Sequence, residues 1–148
     1  LSLPSLGVKD DLDRDIWDDK DQLKPEIREK LLEIANDFWE NQDLDSVEIK
    51  DIIFTGSLAN YNWSKFSDVD LHIVIDYTDV NNDEEMVRKY FNFIKNAWNR
   101  DHDIRIKDYE VEMYVQDYLE PHIACSVTRR MTFCLPIRER AFRALLFQ

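Results

Sequence analysis

The apolar residues of this chain fall into short periodic runs separated by polar turns. Ile27, Leu31, Ile34, Ala35 and Phe38 lie at i, i+4, i+7, i+8 and i+11 behind Pro25, a residue suited to the first position of a helix. This predicts an amphipathic helix over residues 25–42. Met86, Val87, Tyr90, Phe91, Ile94, Ala97 and Trp98 predict a second over 86–100, after a turn at 79–83 rich in capping groups. A strand is expected over 48–55, ending in Gly56-Ser57, and then a short helix or aromatic loop at 58–66. Residues 68–77 alternate: Val69, Leu71, Ile73, Ile75 and Tyr77 face one way, and Asp68, Asp70, His72, Val74 and Asp76 the other. Strands at 103–107 and 109–116 read as a hairpin turning at Asp108, and Pro136 reads as opening a last helix through Ile137, Ala141, Ala144 and Leu145. The order α-β-β-α-β-β-α describes an α+β domain with a small mixed sheet and flanking helices.

The 148 residues suit one domain with a real core, and 44% hydrophobic content excludes a disordered chain. Three segments are expected. Residues 1–22 form an irregular, acidic, solvated arm pinned by Trp17, residues 23–123 form the domain, and residues 124–148 form an Arg-rich helical tail packed on it. That tail holds Arg129, Arg130, Arg138, Arg140 and Arg143 against one acid, Glu139. No apolar run approaches the ~20 residues of a membrane span. Cys125 and Cys134, with eight residues between them, match no zinc spacing, so a reduced, cytoplasmic protein is expected. A net charge of −12 opposes broad nucleic-acid binding and suits cationic partners and divalent metals.

The chemistry concentrates in FTGSLANYNWSKFSDVDLHIVID, residues 54–76. Two carboxylates spaced D-x-D on a strand project from one face and repel unless one protonates or a cation joins them. Hard divalent ions take such oxygens, commonly with substrate phosphates completing the shell. Gly56 and Ser57, at a strand end, suit a phosphate: glycine lets the ligand approach, and the following N–H groups and the Ser57 hydroxyl hold an anion. Gly56-Ser57, a ten-residue gap, then Asp68-Val69-Asp70-Leu71 on strand–turn–strand resembles the nucleotidyltransferase superfamily of the DNA polymerase beta type, most closely its minimal members. The resemblance spans residues 25–117.

The resemblance implies a nucleotidyltransferase-like fold and a third carboxylate on a neighbouring strand. Glu110 and Glu112 share a face of residues 109–117; Glu112, set in Val111-Glu112-Met113, is the favoured one. It further implies that Asp68, Asp70 and Glu112 hold two Mg²⁺ ions, and that Gly56 and Ser57 grip the outer phosphates of an NTP. An acceptor hydroxyl then attacks the α-phosphorus and pyrophosphate leaves. The acceptor is a protein side chain or a small cationic molecule. The chain departs from the minimal members where they carry arginines and a glycine after Gly-Ser: it has Leu58, Asn60 and Tyr61, and Lys65 is the nearby base left for the nucleotide, with Arg88 and Arg105 as substitutes. This departure favours an alternative, a degenerate member of the fold that binds nucleotide or a partner without turnover. A nuclease or phosphatase ranks third. His72 is read as a hydrogen-bonded structural residue, and Tyr61, Trp63 and Phe66 as core cover.

Overall fold

The first helix, α1 (Pro25–Glu40), places Pro25 in its first turn and buries Ile27, Leu31, Ile34, Ala35, Phe38 and Trp39. The structure, a computed structural model, describes residues 8–120 and 135–136. Past α1, Asn41 and Gln42 turn their side-chain amides back onto the carbonyls of Asp37 and Phe38, which satisfies acceptors the helix leaves open. The second helix, α2 (Glu84–Asp101), starts two residues before the expected Met86 because Asp83 caps it, accepting from the Met86 N–H at 3.1 Å.

The strands β1 (Asp51–Thr55) and β2 (Val69–Ile75) pair antiparallel, with Thr55 opposite Asp70. The hairpin of β3 (Arg105–Ile106) and β4 (Tyr109–Asp117) turns through Lys107 and Asp108, both at positive φ (50° and 68°), the left-handed pair a two-residue hairpin loop requires. β4 runs parallel to β2, a pairing no tight turn can make; α2 is the crossover that permits it. A short strand, β5 (Leu135–Pro136), pairs antiparallel with β1 and completes a five-stranded mixed sheet of order β3-β4-β2-β1-β5.

β5 corrects one expectation. Pro136 lies in a strand at the sheet edge rather than at the start of a helix; an edge tolerates proline because a strand there has a side on which its missing N–H is not needed. The rest of the expected tail, with Ile137, Ala141, Ala144, Leu145, its arginines and both cysteines, lies outside the described residues.

The core forms where the apolar faces of α1, β1, β2, β4 and α2 meet. The solvated-arm expectation differs from what is observed. Leu12, Ile16 and Trp17 are buried, Trp17 stacks on Phe54 at 6.0 Å, and its indole N–H donates to the Leu58 carbonyl at 2.8 Å. Asp13 accepts from the Tyr109 hydroxyl within the same interior. Trp17 therefore braces β1 and the turn that follows it. Among the described residues no helix is long and apolar enough to cross a membrane.

Candidate active site

The sheet register builds the site. Strand β2 buries Val69, Leu71, Ile73 and Ile75 toward the core, which turns Asp70 and His72 to the other face. In β4 the same alternation buries Tyr109, Val111 and Met113 and turns Glu110, Glu112 and Tyr114 outward. Because the two strands are parallel and in register, Asp70 is the direct partner of Glu112, His72 of Tyr114, and Val74 of Gln116. Glu110 precedes the β2–β4 register and pairs with Arg105 of β3. Asp68 lies immediately before β2 rather than within it.

The electrostatics join the three carboxylates. Burial, then Glu112, then Asp68 push the Asp70 carboxyl up to about 7, and Lys95 opposes the rise. Asp68 is also raised, by burial first and Glu112 second, with Arg105 opposing. A half-buried patch of like charge is thus in place, with Glu112 acting on both aspartates.

Gly56 sits at φ +88° and ψ −171°, backbone that side chains rarely adopt, and a Cβ there would stand 2.3 Å from Oδ2 of Asp70. The glycine is therefore required twice, by its own backbone and by the neighbouring carboxylate. Ser57 opens a single 3₁₀ turn (Ser57–Ala59), whose Leu58 and Ala59 are buried. Its hydroxyl donates to Ser67 Oγ at 2.6 Å, and Ser67 Oγ accepts from the Ser64 N–H at 2.8 Å, tying the turn to the residue before Asp68. Asn60 folds back to donate to the Gly56 carbonyl at 2.9 Å.

These features decide the chain's affiliation. The model of the nucleotidyltransferase domain family matches residues 28–134. The chain belongs to this nucleotidyltransferase family. No curated protein and no solved structure matches it. Its α+β sheet with flanking helices is the architecture the Gly-Ser and D-x-D pattern pointed to.

The expected site residues are not all brought together. Gly56 and Glu112 flank Asp70, with Ser57 and Asp68 adjoining. Lys65 is exposed, its ammonium 5.0 Å over the ring of Phe66, and it is not among the charges acting on either aspartate. Phe66 is itself 73% exposed and not core cover, whereas Tyr61 and Trp63 pack on the core. Arg88 is turned away into an ion pair with Glu120. The cations that act on the aspartates are Arg105, from β3, and Lys95, from α2. Lys95 went unnoticed in the sequence, where it is one lysine on a charged helix; its place is set by Asn99, one turn later, which bonds both backbone groups of Met113 and docks α2 on β4. His72 has the structural role expected of it, 2.7 Å from Gln116 and stacked on Tyr114.

Asp68, Asp70 and Glu112 are hard oxygen donors, and the part of the Asp70 rise that comes after burial, from Glu112 and Asp68, is a repulsion that a divalent cation would relieve. Their chemistry fits Mg²⁺. Among the described residues no three such side chains are drawn close enough to hold an ion as they stand, and Oε2 of Glu112 is turned to the Tyr114 hydroxyl at 2.7 Å.

Proposed function

We propose that this nucleotidyltransferase domain catalyses Mg²⁺-dependent transfer of a nucleoside monophosphate from an NTP to a hydroxyl, with release of pyrophosphate. The observation that carries the reading is the alignment of Asp70 with Glu112 beside a glycine whose Cβ the Asp70 carboxyl excludes. Two divalent ions held by Asp68, Asp70 and Glu112 would supply positive charge to the oxygens whose charge changes in the transition state. Gly56 and Ser57 offer backbone N–H groups to the outer phosphates, joined by the Ser57 hydroxyl once it leaves Ser67 Oγ. Lys95 and Arg105 take the place of the arginines absent at Leu58 and Asn60, as countercharge from α2 and β3. The acceptor oxygen forms its bond to the α-phosphorus as the bond to the pyrophosphate oxygen breaks. The net charge of −12 favours a small cationic acceptor, or a protein side chain, over a nucleic acid.

Calorimetric titration of each NTP, with and without Mg²⁺, on wild type and on Asp68→Asn/Asp70→Asn tests the binding step. Metal-dependent binding lost in the double variant, with pyrophosphate released on turnover, is the expected outcome. A wild type that binds no NTP in saturating Mg²⁺ refutes it. The second reading, a module that binds without turnover, rests on Leu58 being buried and on Asn60 being committed to the Gly56 carbonyl. Metal-dependent NTP binding with no pyrophosphate released from the NTP, whichever acceptor is supplied, would establish it.

A further inference from the structure

The outer face of the β2–β4 pair carries, above the carboxylates, a connected set of side chains of which only Lys95 takes part in the proposed reaction. Tyr114 is the β4 residue two beyond Glu112, so both project from the same face. Its hydroxyl donates to Oε2 of Glu112 at 2.7 Å. The ring is held by its neighbours: His72, its register partner on β2, stacks on it at 4.7 Å and 19°, and Nζ of Lys95 stands 4.2 Å from its centroid. His72 is fixed in turn by Gln116, whose side-chain amide lies 2.7 Å from Nδ1. Three secondary-structure elements thus converge on one phenol ring, and the ring's one polar atom ends on a carboxylate of the candidate site.

We propose that Tyr114 is a positioning residue for Glu112: the ring, clamped by His72 and Lys95, uses its hydroxyl to hold Oε2 so that the other carboxylate oxygen is left to face Asp70. The inference rests on the metal-binding reading of Asp68, Asp70 and Glu112. A carboxylate free to rotate about its side-chain bonds spends part of its time turned away, and a partner that fixes one oxygen raises the fraction of time the other is available. Such outer partners commonly change metal affinity by about 10–100-fold when removed. The phenol suits this task better than a charged donor, because it fixes the carboxylate without neutralising it.

The test is direct Mn²⁺ binding, by electron paramagnetic resonance of the free ion and by calorimetry, to the whole chain without nucleotide. Tyr114→Phe keeps the ring and its stacking and removes only the hydroxyl. Wild type is expected to bind Mn²⁺, and Tyr114→Phe to bind it about 10-fold more weakly with an unchanged thermal unfolding midpoint. Glu112→Gln is expected to weaken binding as well, and adding Tyr114→Phe to it to cause no further loss, since the hydroxyl acts only through Glu112. Equal affinity in wild type and Tyr114→Phe overturns the role of Tyr114 and leaves the metal site standing, whether or not the midpoint moves. Additive losses in the double variant also overturn it, because the hydroxyl would then act by another route. A wild type that binds no Mn²⁺ overturns both the inference and the reading beneath it.

Discussion

Gly56→Ala is the most discriminating single change, because two separable costs meet at one atom. The backbone there, φ +88° and ψ −171°, lies in a region that is nearly glycine's alone. Forcing alanine into it costs about 1–3 kcal/mol. The new Cβ would also stand 2.3 Å from Oδ2 and 3.1 Å from Cγ of Asp70, so that carboxyl has to swing aside. An off-rotamer side chain adds about 0.5–1.5 kcal/mol, giving a total of about 1.5–4.5 kcal/mol. The contact with Asp70 Cβ, 3.4 Å, is ordinary and adds little. In an Asp70→Ala background the colliding atoms are gone, so the same glycine substitution is expected to cost only its backbone share. Urea unfolding of the four proteins of this cycle, with Mg²⁺-dependent NTP binding measured on those that carry Asp70, gives both numbers. The coupling between the two sites is expected to be about 0.5–1.5 kcal/mol, and Gly56→Ala to abolish NTP binding by displacing Asp70. Equal costs in the two backgrounds would refute the close approach, and a cost near zero in both would refute the backbone argument as well.

Three further outcomes are expected. Asp70, pushed up to about 7, stays protonated in the metal-free fold at pH values where the unfolded chain has lost the proton. The stability that this proton contributes is complete below pH ~4 and is lost as pH rises through about 7, by up to about 4 kcal/mol before solvent exposure reduces it. In a chelating buffer, Asp70→Asn should therefore raise the unfolding midpoint relative to wild type more at pH 8 than at pH 5; a pH-independent difference contradicts this. Trp17→Ala removes a buried ring stacked on Phe54 and bonded to Leu58, and should cost about 3–5 kcal/mol in urea unfolding. A loss below 1 kcal/mol would mean that residues 8–24 are dispensable. Glu112→Gln should weaken Mn²⁺ binding whereas Glu110→Gln, whose register partner is Arg105, should not; the reverse order would move the third carboxylate to Glu110.

What the sequence determined by itself is what depends on near neighbours. Helices α1 and α2 were legible because their apolar stripes repeat with the helical period and because Pro25 and Asp83 mark their starts. The alternation of residues 68–77 exposed Asp70 opposite a buried row, and Gly56-Ser57 at a strand end marked a backbone only glycine holds easily. Local pattern misled where it is ambiguous. Trp17 was legible as the pin of this segment, but the charge of DDLDRDIWDD hid Leu12 and Ile16, which enter the core with it because β1 and α1 offer an apolar surface the segment cannot advertise. Pro136 has the same fixed φ at a helix start as on a sheet edge, so only its pairing with Ile53 could tell them apart. Alternation could not separate Glu110 from Glu112, since both lie on one face; what favours Glu112 is the parallel register across the α2 crossover, which sets it against Asp70. Lys95 and Tyr114 joined the site for the same reason. Their roles come from strands and a helix far apart in the chain, and a contact of that kind exists only once the sheet has closed.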